Sequence, residues 1–145
     1  MNLIEVYQDT KDKVNSGEIK TNSKTEKWNL SEIRPNDYPT RWKIGRVSHL
    51  VSPRVIIEPH DTVTSAIRWS KVGKVAILNM ASARRPGGGV EKGARAQEES
   101  LFRCSNLFDT IPQDMYPIGL EEAIYTKDAV FFKDFRQARI DYLRS

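Results

Sequence analysis

Carboxylates are the most chemically capable side chains of this sequence. Glu98 and Glu99 are adjacent, and seven residues separate Gln97-Glu98-Glu99 from three consecutive glycines, Gly87-Gly88-Gly89. Sequence neighbours on a helix point about 100° apart. The pair therefore cannot face each other across a bond, as the two carboxylates of ordinary glycosidases do. A division of labour fits better, with one carboxylate orienting a hydroxyl and the other shuttling the proton. The plainer alternative is that both glutamates favour the positive end of a helix. Three glycines in a row are costly in conformational entropy. They point to a place where side chains must be absent, such as the backbone beneath a sugar or diphosphate, and loop amides that feed a helix N-terminus also suit an anion. A flexible surface loop is the plainer reading there. No Gly-Lys-Ser/Thr comes after the glycines and the flanks of GxGxxG are missing, which disfavours nucleoside triphosphate hydrolysis.

Periodicity predicts the elements around these residues. Val75-Ala76-Ile77-Leu78 is a continuous apolar run within Lys74–Met80, which predicts a central strand covered on both faces. Arg84–Lys92 reads as a glycine-rich loop. From Ala94 to Phe108 the pattern is helical, with Ala94, Leu101, Cys104 and Phe108 on one stripe. Upstream, Leu3, Val6, Tyr7 and Val14 suggest an amphipathic helix closed near Gly17. Residues 18–31 are polar and read as a loop, and Pro35, Pro39 and Pro53 punctuate the chain from there to residue 54. Val55-Ile56-Ile57-Glu58 is a candidate strand. Asp61 or Thr62 caps a helix through Trp69, with Val63, Ala66 and Ile67 on its buried face. Pro112 and Pro117 mark a loop, Ala129–Phe132 a second buried strand, and Phe135–Ser145 a terminal helix. This order argues for an α/β fold with a mostly parallel or mixed sheet.

Composition narrows the function. The 145 residues suffice for one domain with a modest core, and 29% are charged. The net charge of +4 favours phosphate-bearing or polyanionic partners, although solvated surface charge is the plainer reading. The basic residues form no block, so no nucleic-acid-binding module is argued. Short apolar runs leave no membrane span, and the N-terminus does not resemble a secretory signal. With Cys104 alone no intrachain disulfide forms, which suits a reducing, cytoplasmic setting. One cysteine with His49 and His60 makes a structural zinc site improbable. Cys104 reads as core, His60 as a surface or capping residue, and Trp28, Trp42 and Trp69 as packing residues. Arg84 and Arg85 flank the glycine loop, as phosphate attractants or as solvated charge.

Ala81-Ser82-Ala83-Arg84-Arg85-Pro86-Gly87-Gly88-Gly89 with Gly93-Ala94-Arg95-Ala96-Gln97-Glu98-Glu99-Ser100-Leu101 closely resembles the signature of bacterial-type poly(ADP-ribose) glycohydrolases. Weaker similarity runs through Val6–Thr10, Thr62–Ile67, Val75–Asn79, Tyr125–Asp128 and Val130–Asp134. The resemblance implies one domain over 1–145 with an α/β, macrodomain-like mixed sheet flanked by helices. It implies hydrolysis of the ribose–ribose O-glycosidic bond of poly(ADP-ribose) or a related ADP-ribosyl adduct. Glu99 would be the general acid/base and Glu98 would hold ribose hydroxyls. Gly87, Gly88 and Gly89 would line the ribose and diphosphate, Asn79 and Ser82 would seat the ribose, and Gln97 would support the helix start. An oxocarbenium-like centre helped by the substrate's own diphosphate needs no metal, cofactor or protein nucleophile. The implied partners are ADP-ribose or poly(ADP-ribose), with ADP-ribosylated protein or nucleic acid as acceptors and no membrane. Family members carry a second glycine-rich segment, of Gly-Ala-Trp-Gly-Cys-Gly type, and an adenine-side aromatic loop, and this sequence has neither. The expectation is therefore the N-terminal portion of the family fold, with an open sheet edge. The competing function is a non-catalytic ADP-ribose-binding module or an inactive short member.

Overall fold

Helix α1 (Leu3–Asn15) starts where Asn2 can satisfy the first free amides. The Asn2 side chain accepts the N–H groups of Ile4 and Glu5, and the Glu5 carboxylate accepts the Asn2 N–H at 2.8 Å, a reciprocal capping box. Gly17, at φ +78°, takes the left-handed conformation just past its end. Val6, Tyr7, Thr10 and Val14 form the buried face. The computed structural model describes residues 2–32 and 54–134. Pro35, Pro39, Trp42, His49, Pro53 and the expected terminal helix 135–145 lie outside them.

The polar stretch read as a loop contains a strand. β1 (Lys24–Asn29) pairs antiparallel with β2 (Glu122–Lys127), Lys24 opposite Lys127 and Asn29 opposite Glu122. Cross-strand pairs stabilise this ribbon where hydrophobic alternation is weak. The Thr25 and Thr126 hydroxyls lie 3.0 Å apart, Lys27 pairs with Glu122 at 2.8 Å, and the Trp28 and Tyr125 rings meet at 5.0 Å. Trp28 thus packs as expected, against Tyr125, although it and Trp69 stay about two-fifths exposed.

The expected strands fare differently. Among the described residues, neither 55–58 nor 74–80 forms a ladder, and the sheet has two antiparallel strands. Leu78 and Met80 are 80% and 70% exposed, so the run is not covered on both faces. Apolar character says what gains from burial, but only a hydrogen-bonded neighbour makes a strand. Residues 129–132 contribute a single bridge, Ser105 to Phe131. The result is a mixed α/β fold with a small open sheet flanked by helices.

Helix α2 (Thr62–Trp69) is capped as expected, the Asp61 carboxylate accepting the Thr64 N–H at 3.0 Å. Val63 is buried, whereas Ile67 is 43% exposed. The long helical pattern divides at Ser105 into α3 (Gln97–Cys104) and α4 (Leu107–Thr110), because Ser105 is extended. Asn106, fully buried, holds the break. Its side chain accepts the Val130 N–H and donates to the Ser23 hydroxyl, at 2.9 Å each.

Val6, Tyr7, Val63, Val90, Leu101, Phe102, Cys104, Leu107 and Ile111 make the core. Lys133, only 8% exposed, locks α1 onto it. Its ammonium donates to the Val6 carbonyl and the Thr10 hydroxyl and pairs with Asp9 at 2.6 Å. The Thr10 hydroxyl in turn lies 2.6 Å from the Arg103 carbonyl oxygen, to which it donates. No helix among the described residues is long and apolar enough to cross a membrane.

Candidate active site

The first turn of α3 presents both glutamates inward, 3% and 6% exposed. The Glu98 carboxylate is fully engaged with backbone. One oxygen accepts the Gly87 N–H at 3.1 Å and the other the Ser82 N–H at 2.8 Å. The Asn79 side chain lies close enough to favour the ionised form as well. Burial raises the Glu98 carboxyl above its ordinary value, and these hydrogen bonds oppose that rise without cancelling it. Glu99 is held by one oxygen only. Its Oε1 accepts the Gly89 N–H at 2.9 Å, while Oε2 is buried and has no partner among the described residues.

Each glycine of the loop lies close against other parts of the protein. A Cβ on Gly87 would sit 2.7 Å from a Phe102 ring carbon, one on Gly88 2.7 Å from Glu99 Oε1, and one on Gly89 2.8 Å from the Ala94 Cβ. Gly87 and Gly88 also have φ of +71° and +52°, a region that penalises other residues. Phe102 and Glu99 of α3, with Ala94 ahead of it, occupy the places that side chains on the loop would take. The Gly87 and Gly89 amides likewise meet anions, but these are the carboxylates of Glu98 and Glu99.

Gln97 does more than support the helix start. Its side chain accepts the Met80 N–H at 2.9 Å and donates to the Leu78 carbonyl at 2.7 Å. This doubly bonded amide does for residues 78–80 what a neighbouring strand would do. Asn79 and Ser82 are thereby brought to the glutamates at the end of that segment, so all eight expected site residues converge on α3 and the glycine loop.

The sequence profile of the microbial-type PARG catalytic domain matches residues 6–134, a span that contains the glycine loop and both glutamates. The chain belongs to that family. No curated protein and no solved structure matches the chain. Residues beyond the family signature also build the site. Tyr116, half-buried, lies close enough to Glu98 that the carboxylate charge and, more strongly, burial push its phenol up to about 12. The Ile118 N–H ties this loop to the Ala83 carbonyl at 2.9 Å. Nothing in the sequence points from Tyr116 to Glu98. Arg103, 2% exposed, donates to the Ala94 carbonyl at 2.9 Å, and its buried Nε has no partner among the described residues. Its i+4 spacing from Glu99 is a signal that the helix pattern does carry. Cys104 is fully buried and its thiol is pushed up to about 12, chiefly by burial, so it packs as expected. His60 is exposed ahead of the Asp61 cap, and Arg84 and Arg85 are exposed. Among the described residues no cluster of His, Cys, Asp or Glu could hold a metal ion.

Proposed function

We propose that this chain hydrolyses the ribose–ribose O-glycosidic bond of poly(ADP-ribose) or of a related ADP-ribosyl adduct, with Glu99 as the single acid/base. The observation that carries the reading is the asymmetry between the glutamates. Both Glu98 oxygens are occupied by backbone amides, whereas Glu99 Oε2 is buried without a partner among the described residues. An acid/base group needs such an uncommitted oxygen. Protonated Glu99 delivers its proton to the leaving ribose oxygen as the bond to the anomeric carbon breaks. Water adds to the oxocarbenium-like centre, and its proton returns to the Glu99 carboxylate. Glu98 keeps the loop and the Ser82 segment in register, and its remaining lone pairs suit ribose hydroxyls. Gly88 leaves open the space that a side chain would take from Glu99.

Release of ADP-ribose from poly(ADP-ribose), followed chromatographically, tests the proposal. Glu99→Gln lowers the rate by about three orders of magnitude, the scale of a lost acid/base group. Glu98→Gln also loses most of the activity, through disorder at Ser82 and Gly87. A folded wild-type chain that binds ADP-ribose yet releases none sinks the hydrolase reading and leaves a binding module.

A further inference from the structure

The turn from Gly89 to Ala94 is gripped at both ends by one helix. Gly89 donates its N–H to Glu99 Oε1 at 2.9 Å, and the Ala94 carbonyl accepts a hydrogen bond from the Arg103 guanidinium at 2.9 Å. The two ends are also bonded to each other, because the Ala94 N–H donates to the Gly89 carbonyl at 3.2 Å. The Lys92 N–H shares that carbonyl at 2.9 Å, which shapes the turn without tying it to α3. Glu99 and Arg103 are four residues apart on α3, so their side chains leave the helix one above the other. Glu99, Gly89, Ala94 and Arg103 thus close a ring of hydrogen bonds through one turn of helix.

A guanidinium is a costly group to bury there. Arg103 is 2% exposed, and burial lowers it below its ordinary range. Among the described residues it makes no ion pair. The carboxylate whose charge supports it is Glu99, which acts on it without a direct hydrogen bond. The main chain of Arg103 is fixed independently of its side chain. Its carbonyl accepts the Thr10 hydroxyl at 2.6 Å, and the Lys133 ammonium donates to that hydroxyl at 2.7 Å. An apolar side chain of similar length would fill the same volume without a buried charge. The hydrogen bond to Ala94 is what such a side chain would lack.

We propose that Arg103 is the positioning residue for Glu99. By holding Ala94 it fixes the turn, the turn fixes the Gly89 N–H, and that N–H fixes Oε1 and so aims Oε2. The need for a second grip follows from acid/base work itself. A hydrogen bond to an ionised carboxylate is roughly twice as strong as one to a neutral acid. A carboxyl that gains and loses a proton therefore cannot hold the Gly89 amide equally well in both states. Arg103 keeps its charge throughout, so its hold on the turn does not vary with the proton on Glu99. The kinetic role of Arg103 rests on the proposed activity, but its hold on Gly89 does not.

R103M and R103K in the full chain test this with two readouts. One is kcat and KM for ADP-ribose release, per folded protein. The other is amide hydrogen exchange of Gly89 relative to Leu101 and Phe102, which removes any general loss of stability from the comparison. In R103M kcat falls about tenfold to a hundredfold with KM within about twofold, the scale of a misplaced catalytic group. Gly89 exchanges about tenfold faster relative to Leu101 and Phe102, as a local opening does. In R103K the ammonium can still donate to the Ala94 carbonyl, and both readouts lie between wild type and R103M. Should R103M not fold, R103K is set against wild type directly, with losses of about threefold to tenfold expected and wild-type values in both readouts overturning the proposal. A kcat in R103M within about twofold of wild type overturns it, and so does Gly89 exchange that rises only in step with Leu101 and Phe102. A wild type that releases no ADP-ribose, while R103M frees Gly89 alone, defeats the activity and upholds the hold of Arg103 on the turn.

Discussion

Residues 74–80 and α3 both carry apolar side chains, and these meet opposite fates. Leu101 and Phe102 are 1% exposed, whereas Leu78 and Met80 lie largely in solvent. A helix satisfies most of its backbone internally, so α3 needs only a surface to pack on. An extended segment needs a partner edge, and among the described residues 78–80 finds only the Gln97 amide. The candidate active site spans the seam. Glu98 and Glu99 come from the packed side, Asn79 and Ser82 from the open side, and Glu98 and Gln97 bind the two together.

Substitutions on the two sides should separate them most strongly in the packed core. Phe102→Ala removes a fully buried ring and should lower unfolding stability by about 3–5 kcal/mol. Leu78→Ala, in the open segment, should stay within about 0.5 kcal/mol. Denaturant titration measures both, and similar losses would erase the distinction between the regions. Lys133→Met removes the hydrogen bonds of the ammonium to the Val6 carbonyl and the Thr10 hydroxyl and its pair with Asp9, which keeps Lys13, and should remove about 1–2 kcal/mol. It also changes the acid limb. The Lys133 ammonium holds the Asp9 carboxyl below the ordinary range, with burial opposing and Lys13 assisting. A folded value below the unfolded one stabilises above the unfolded pKa of about 3.9, and that contribution is lost as pH falls through the folded value. Stability measured against pH should therefore fall less steeply in acid for Lys133→Met than for wild type. Gly88→Ala forces a Cβ against Glu99 Oε1 at a positive φ, and should cost about 1–2 kcal/mol. Its loss of ADP-ribose release should exceed what that destabilisation explains, as the ratio of activity to folded fraction reports.

Much of the packed side was legible beforehand. The Val6, Tyr7 and Val14 face, the stop near Gly17, the Asp61 cap and the buried Cys104 are local patterns, and each appears as read. The open side was not. β1 hides in a polar stretch because its stability comes from Thr25, Lys27 and Trp28 meeting a strand about a hundred residues away. Residues 74–80 look like a central strand because periodicity records the need for burial and not the presence of a neighbour. The helix read from Ala94 to Phe108 splits because Asn106 binds Ser23 and Val130, contacts distant in the chain.

The order of amino acids was enough to set the family, the cluster of glycines with two glutamates, and the helices whose caps and apolar faces are local. What those groups touch was settled by the folded arrangement alone. It turned the glycine amides toward Glu98 and Glu99 and engaged both oxygens of Glu98. It left Glu99 Oε2 without a partner among the described residues and put the Arg103 guanidinium on the Ala94 carbonyl. The physical reason is range. Capping and amphipathic patterns act within a few residues, whereas hydrogen-bond partners and buried charges depend on segments that only the folded chain brings together.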